Sequence, residues 1–145
     1  MQSRQSIYII KPEAIPFSED IHKMIASSGL TISIWKQAIM PYSIIDKIYF
    51  DCPKDIIAAT KHFMFNDICE IGIVSGDNAI EKLIEVCGTE TNPFNCKKGT
   101  IRNLFGVHKL QFYNGTGYYQ NAIHRPKTEI EFKKDIDILE DIVKL

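Results

Sequence analysis

The spacing of hydrophobic residues along the chain switches between a period of two and a helical period. Ser6–Ile10 is a short apolar run that stops just before Pro12, which predicts a buried strand. Apolar and polar residues alternate through Leu30–Met40, and Ile68–Gly76 is a further apolar run. The pattern therefore predicts three strands in this part of the chain.

The segments between these strands carry apolar residues at helical spacing. Ser18 is expected to cap a helix that ends at Gly29. Asp77 is expected to cap a second helix that ends at Gly88. The remaining predicted helical segments are Ser43–Phe50, Lys54–Met64, Thr100–Phe105 and a last helix that a Thr128–Glu131 capping box begins.

The order of these elements is β-α-β-β-α-β with a helical pair inserted, once a short strand before the last helix is included. This order predicts an α+β fold of the ferredoxin-like split βαβ type. We expect a four-stranded antiparallel sheet with surrounding helices, in the simplest arrangement with the helices on one face. Residues 88–99 are predicted to be a loop, and residues 106–120 are aromatic and Gly-rich with no clear period.

The composition is that of an ordinary globular domain, and the charge argues against two classes of partner. The 145 residues are 45% hydrophobic and 24% charged, with a formal net charge of −1. This length predicts a single domain over residues 1–145. A near-zero net charge gives no overall attraction to nucleic acid or to an anionic membrane, so we expect neither as a partner.

The four cysteines form no C-x-x-C pair. The first residues lack the apolar core and cleavage site of a signal peptide, and no apolar run reaches the ~20 residues that span a bilayer. We therefore expect reduced thiols in a cytoplasmic protein. A zinc site built from cysteines with His62 or His108 is the alternative, although the spacing matches no known zinc pattern.

One histidine, His124, follows the apolar pair Ala122 and Ile123 and precedes a basic turn. Taken by itself it is a packed core residue, a metal ligand or a nucleophile. The chain contains neither a P-loop nor a G-x-G-x-x-G fingerprint, and it lacks G-x-S-x-G and H-E-x-x-H. If the protein binds phosphate, side chains must do so.

Four separated segments then point to one family. They are "IIKPEA", "GTETNP", "KKGTIRNLFG" and "NAIH", in that order along nearly the whole chain. Each segment alone is weak evidence, but together they resemble the hallmarks of the nucleoside diphosphate kinase family. The residues of the last two segments are similar to those of a divergent member of this family. The resemblance implies the transfer of a γ-phosphoryl group from ATP or another nucleoside triphosphate to a nucleoside diphosphate by a ping-pong reaction through phosphohistidine.

The resemblance also assigns roles to individual residues. His124 would be the phosphorylated nucleophile, and a neutral imidazole suits this task because its ordinary pKa is about 6.5. Mg²⁺ would be carried on the nucleotide phosphates, with no metal site in the protein itself, and the chain would form a homo-oligomer, either a hexamer or a tetramer. The other implied residues are Lys11 and Arg102 as cations, Thr91 as a donor to phosphate, Asn121 at the sugar hydroxyl, Tyr49 beside the histidine and Asp135 orienting it.

Three positions depart from the family pattern. Ile84 stands where the family has a phosphate-binding arginine, and Ile56 or Ile57 stands where it has a base-stacking phenylalanine. Arg125 follows the histidine where glycine is usual, and we hypothesise that it replaces the missing cation. The segment between Arg102 and Asn121 is longer than in the common form of the family, and its tip either covers the nucleotide or packs at a subunit contact.

Two alternatives to the enzyme stay open at this level. The first is a protein of the same fold that binds nucleotides or forms an oligomeric scaffold but transfers phosphate weakly or not at all. The second is a ferredoxin-like module that uses aromatic residues of its sheet to bind RNA.

Overall fold

A four-stranded antiparallel sheet lies at the centre of the protein and carries helices around it. The computed structural model describes residues 4–144, so the ends of the predicted domain, residues 1–3 and 145, lie outside the described residues. The elements are β1 (Gln5–Ile10), α1 (Ser18–Ser27), β2 (Thr31–Ile39), α2 (Tyr42–Ile48), α3 (Lys54–Met64), β3 (Ile68–Ser75), α4 (Ala79–Cys87), α5 (Ile101–Phe105), β4 (Gln111–Tyr113), β5 (Thr116–Tyr118), β6 (Ile123–His124) and α6 (Glu129–Lys144).

The strand order of the sheet is β2-β3-β1-β6, which is the ferredoxin-like split βαβ topology and confirms the predicted fold class. β1 pairs with β3 along its whole length. β6 pairs with the end of β1, with Ile9 opposite His124 and Ile10 opposite Ile123. This pairing positions the site, because it brings His124 beside the residues that follow β1.

Helices cover both faces of the sheet, so the expectation of helices on one face is wrong. Tyr8 and Ile10 of β1 pack in one core cluster with residues of α1 and α4. The alternate residues Ile7 and Ile9 pack in a second cluster with residues of α2, α3 and α6. β1 is apolar on both sides, and each side must be buried. Of the sheet aromatics, Tyr8 is fully buried and Trp35 of β2 is 49% exposed, so the described sheet does not present the row of aromatic side chains that the RNA-binding alternative requires.

The two predicted N-caps are wrong, and the ends of both helices have a different physical basis. Ser18 is the first residue of α1, because a 3₁₀ turn over Pro12–Phe17 leads directly into the helix. α4 begins after Asn78, which adopts a left-handed conformation with φ 53°, and no side chain caps it. The predicted end at Gly88 is confirmed, since φ there is 107° and its N–H donates to the carbonyl of Ile84 at 2.9 Å.

Of the two hydrogen bonds in the predicted capping box before α6, one is present and the other is made to a neighbouring residue. The N–H of Glu131 donates to Thr128 Oγ1 at 3.1 Å. The Glu131 carboxylate accepts from the N–H of Lys127 at 2.7 Å, one residue earlier than the capping box predicts. Both bonds hold the turn that follows His124.

The segment without a clear period forms a β-hairpin from β4 and β5. Its two-residue turn consists of Asn114 and Gly115, whose φ values are 47° and 78°. An Asn-Gly pair between short aromatic runs is the usual signal for such a turn, so this hairpin was predictable from the sequence. The predicted loop before it contains one 3₁₀ turn, Pro93–Asn95.

Among the described residues, the cysteines form no metal-binding cluster with the two candidate zinc-binding histidines. All four cysteines are free thiols, and His62 and His108 contact the aromatic rings of Tyr113 and Phe94. Within residues 4–144 no three His, Cys, Asp or Glu side chains come together as a cation site. In the same range, every helix is too short or too polar to cross a membrane.

Candidate active site

His124 lies at the end of β6 and lines a cavity of about 480 Å³. Its Nε2 is 2.9 Å from Asp135 Oδ2, and the Asp135 side chain on α6 is 1% exposed. A carboxylate accepts hydrogen bonds but cannot donate them, so Nε2 must carry the proton. The lone pair of the neutral ring is therefore on Nδ1. The ring of Tyr49 meets the imidazole edge-on, with 5.2 Å between centroids.

Burial lowers the pKa of His124 below its ordinary value of 6.5. The hydrogen bond that His124 donates to the Asp135 carboxylate opposes this shift, whereas the positive charges of Lys11 and Arg102 add to it. The imidazole is consequently neutral at pH 7, which leaves Nδ1 available as a nucleophile.

The backbone before His124 makes a tight turn around Ala122. This residue has φ 76°, and the N–H of Ile123 donates to the carbonyl of Asn121 at 2.9 Å, which closes a γ-turn. The N–H of Ala122 donates to Glu13 Oε2 at 3.0 Å, and the Ala122 carbonyl accepts from the N–H of Lys11 at 2.7 Å. An alanine gives no sequence signal for a left-handed φ, so neither this strained turn nor the role of Glu13 was predictable.

Three cations line the cavity while being almost completely buried. Lys11, Arg102 and Arg125 are 5%, 7% and 3% exposed. None of the three forms a salt bridge with a carboxylate in the part of the chain that the structure describes. Because an unpaired buried charge is costly, this concentration of positive charge favours an anionic ligand.

Two of these cations are held by neutral oxygen atoms. Lys11 Nζ donates to Asn121 Oδ1 at 2.9 Å and to the Tyr118 hydroxyl at 3.3 Å. Arg102 donates to the carbonyls of Ile123 and Glu90. Carbonyl and hydroxyl acceptors orient the cations without neutralising them, so the charge remains available to a ligand.

Arg125 differs from Arg102 in that part of its guanidinium has no partner. Its Nη2 donates to the carbonyl of Gly88 at 2.6 Å, but the buried Nε has no hydrogen-bond acceptor in the described part of the chain. Burial and the nearby Arg102 lower the pKa of Arg125 to about 10, which still leaves it charged at pH 7. The hypothesis that Arg125 supplies a cation to this site is therefore compatible with its position and charge.

Asn121 connects the two sides of the cavity. Its amide oxygen accepts from Lys11, and its Nδ2 donates to the carbonyl of Thr91 at 3.2 Å. Thr91 is exposed and lies in the loop after α4. Arg102 donates a hydrogen bond to the carbonyl of Glu90, the residue before Thr91. The loop and the start of β6 are thus tied together through side-chain hydrogen bonds.

The cavity brings together most of the residues that the sequence singles out, and it omits two. Ile57 and Ile84 are not among its lining residues, whereas Ile56 is. Tyr118 and Tyr119 also line the cavity; they belong to the tyrosine-rich segment for which the sequence left open a position over the nucleotide or at a subunit contact, without a role for either residue. The predicted residues that do line it are Lys11, Tyr49, Ile56, Thr91, Arg102, Asn121, His124, Arg125 and Asp135.

The fold and the site define a ferredoxin-like protein with a cationic cleft around a neutral histidine. The model of the nucleoside diphosphate kinase family matches residues 4–141. The chain belongs to the nucleoside diphosphate kinase family, which confirms the resemblance carried by the four sequence segments.

Individual relatives agree with this assignment. A nucleoside diphosphate kinase of Glaesserella parasuis is 28% identical over 136 residues, which cover 92% of this chain and 91% of the relative. One from Francisella tularensis is 30% identical over 108 residues, or 72% of this chain and 76% of the relative.

Solved structures match over a similar span. A transition-state mimic of nucleoside-diphosphate kinase from Borrelia burgdorferi, with bound vanadate and ADP, superposes with a TM-score of 0.81 at 25% identity, covering 93% of this chain and 85% of the other. The Aquifex aeolicus enzyme gives a TM-score of 0.77 at 19% identity, covering 94% of each chain, which supports the fold alone.

Proposed function

We propose that this protein is an active nucleoside diphosphate kinase that accepts nucleotides with different bases. The observation that carries the proposal is the position of His124, whose neutral ring shares one cavity with three buried cations that have no carboxylate partner in residues 4–144. A nucleophile in such surroundings is suited to a group with several negative charges, such as a triphosphate.

His124 would act through Nδ1. In the first half-reaction the Nδ1 lone pair attacks the γ-phosphorus, and the bond to the β,γ-bridging oxygen breaks, so that the nucleoside diphosphate leaves with the electron pair. Asp135 stabilises the positive charge that the ring acquires, because Nε2–H donates to it. In the second half-reaction a terminal oxygen of another nucleoside diphosphate attacks the phosphorus, and the N–P electron pair returns to Nδ1.

The buried cations would stabilise the phosphoryl oxygens during both steps. Lys11 and Arg102 are oriented by neutral acceptors, and Arg125 has a guanidinium nitrogen without an acceptor. The Tyr49 hydroxyl beside His124 is also buried and has no hydrogen-bond partner within residues 4–144, so it could donate to a phosphate oxygen. Preorganised donors of this kind need no reorganisation when charge develops.

The remaining predicted residues would position the nucleotide. Thr91 donates to a phosphate oxygen and Asn121 meets the sugar hydroxyl, while Ile56 covers the base without aromatic stacking. Ile84 lies outside the cavity lining and supplies no charge.

Mg²⁺ would be bound by the phosphate oxygens of the nucleotide. The cations that line the cavity are suited to the phosphate groups, and those groups would bring the ion with them. When bound, Mg²⁺ neutralises part of the phosphate charge.

A catalytically weak scaffold of the same fold is the second candidate function. It is favoured by Ile84, which leaves the α4 side of the site without the cation that the family resemblance implies. The two candidates differ in whether His124 becomes phosphorylated.

The test is to incubate the protein with γ-labelled ATP and Mg²⁺ and to analyse the protein for label. An active kinase acquires an acid-labile, base-stable label that an added nucleoside diphosphate removes. His124→Ala should acquire no label, whereas His108→Ala should be labelled like the wild type, because His108 is exposed and bonded to the carbonyl of Asn103. An unlabelled wild type, or equal labelling of His124→Ala, would end the enzyme proposal.

We also infer that the chain forms a homo-oligomer. β2 lies at the edge of the sheet, and its residues Trp35 and Ile39 are 49% and 53% exposed. An edge strand with exposed apolar side chains is usually covered in natural proteins. Light scattering after size-exclusion chromatography would measure the assembly, and a monomer at all concentrations would contradict the inference.

A further inference from the structure

We propose that Tyr119 makes the aromatic contact with the base of the nucleotide, and that the β4–β5 hairpin holds it for this purpose. The proposal rests on the proposed function, since it assigns a nucleoside end to the same cavity. It also selects one of the two uses that the sequence left open for this segment.

The hairpin is fastened to α3 at three points. Tyr113 stacks on His62 with 4.3 Å between ring centroids and 23° between planes. Thr116 Oγ1 donates to Asp55 Oδ2 at 3.2 Å. Tyr118 stacks on a third residue of the same helix, Phe63, at 5.1 Å and 8°. These contacts come from both strands, and residues of the hairpin and of α3 line the cavity together.

Tyr118 joins this wall to the phosphate-binding side. Its side chain is 6% exposed, and its hydroxyl accepts from Lys11 Nζ at 3.3 Å. Both the ring and the hydroxyl of Tyr118 are therefore engaged with the protein. Tyr118 acts as a positioning residue, and it fixes where the next residue must lie.

Tyr119, the next residue, lines the cavity without being held by other side chains of the described chain. It lines the cavity and is half-buried, and neither a hydrogen bond nor a ring contact involves its side chain in the described range. The α3 residues that line the same cavity, Ile56 and Thr60, offer it no aromatic side chain. Tyr119 thus supplies an aromatic side chain for a ligand where α3 supplies none.

The chemistry of Tyr119 identifies the part of the ligand that it recognises. An aromatic ring stacks on a purine or pyrimidine whatever its pattern of hydrogen-bond donors and acceptors, so this contact tolerates different bases. Phosphate groups are drawn instead to the buried cations around His124. The ring should therefore contribute to the affinity for a nucleoside diphosphate and not to the affinity for an inorganic diphosphate.

The experiment measures the binding of ADP and of inorganic pyrophosphate by calorimetry. Tyr119→Leu should weaken ADP binding about 5-fold to 150-fold and leave pyrophosphate binding unchanged. Tyr119→Phe keeps the ring and should bind both ligands like the wild type. Phe112→Leu is the matched control, because Phe112 is an aromatic residue of the same hairpin that is 66% exposed and lies outside the cavity lining.

Unchanged ADP affinity in Tyr119→Leu, or an equal loss for pyrophosphate, would overturn the inference. A wild type that fails to bind ADP would do the same. Thermal unfolding of each variant verifies that it is folded. Tyr119→Phe shows the effect of a substitution at this position that keeps the aromatic ring. Binding needs no phosphoryl transfer, so a protein that binds ADP through Tyr119 yet takes no label on His124 would refute the proposed function and leave this inference standing.

Discussion

At the scale of single residues, the proposed mechanism makes the reactivity of His124 depend most directly on Asp135. The carboxylate fixes which ring nitrogen carries the proton and stabilises the charged ring. Asp135→Asn keeps the size but removes the charge, and its amide can donate to Nε2 and stabilise the wrong tautomer. Loss of a hydrogen bond to a charged group costs about 1.5–3 kcal/mol. We expect His124 labelling to slow about 10- to 100-fold.

Asp137→Asn is the matched control for this change. Asp137 is exposed on the same helix, two residues further along, so its loss should leave the rate of labelling unchanged. Equal rates for Asp135→Asn and the wild type would show that Asp135 does not orient the ring.

The pH dependence of His124 phosphorylation follows from the buried position of the ring. Burial lowers the pKa of His124 below 6.5, and only the neutral ring has a free Nδ1 lone pair. The rate should therefore stay level as the pH falls from neutrality and decline when the pH drops through this lowered pKa. Initial rates of labelling across the acidic range should give a midpoint below pH 6.5, and a midpoint above it would contradict the assignment.

The hypothesis that Arg125 replaces the missing family arginine can be tested by substitution. Arg125→Ala removes a buried charge that lines the cavity, so turnover should fall about 10- to 100-fold, as expected for one charged hydrogen bond. Arg125→Lys keeps the charge but not the planar fork and should recover part of the loss. Lys98→Ala removes an exposed charge and is expected to be neutral. An unaffected rate in Arg125→Ala would refute the replacement.

At the scale of elements, α3 offers two adjacent isoleucines of which one lines the cavity. Ile56→Phe should tighten the binding of nucleoside diphosphates several-fold, because an aromatic ring would be added beside the base. Ile57→Phe, one position along the helix, should leave affinity unchanged and serves as the control. Titration calorimetry measures both, and a lack of change in Ile56→Phe would place the base elsewhere.

The elements also differ in how far their sequences predicted them. β1, β3, α3 and α4 follow from apolar period, length and the glycine that ends α4. The starts of α1 and α4 did not follow, because Ser18 and Asp77 are good caps whose local signal was overridden by a 3₁₀ turn and by a left-handed Asn78. The β4–β5 hairpin was not predicted, although the Asn114–Gly115 pair is a sequence signal for its turn.

At the scale of the whole molecule, two buried tyrosines separate stability from activity. The Tyr8 hydroxyl donates to the fully buried Glu70 carboxylate at 2.6 Å, whereas the Tyr49 hydroxyl has no hydrogen-bond partner. Tyr8→Phe should lower the free energy of unfolding by about 1.5–3 kcal/mol, since a buried carboxylate loses a donor. Tyr49→Phe should leave stability unchanged or slightly raised, and it should slow phosphorylation of His124.

Urea denaturation of both variants measures the stability difference. If Tyr8→Phe and Tyr49→Phe lowered the free energy of unfolding equally, the hydrogen bond from Tyr8 to Glu70 would not be the source of the stability difference. Phosphorylation as fast in Tyr49→Phe as in the wild type would mean that its free hydroxyl does not serve the ligand.

From the sequence came the family, the ferredoxin-like fold class and the choice of His124 as the candidate nucleophile. Apolar periods and short motifs are local properties, and four segments in one order leave little freedom for another fold. Only the tertiary structure shows that both sheet faces are covered, that Ala122 has a positive φ in a tight turn and that Arg125 is buried with no carboxylate partner among residues 4–144. Burial, desolvation and charge balance arise between residues far apart in the chain, so no local pattern encodes them.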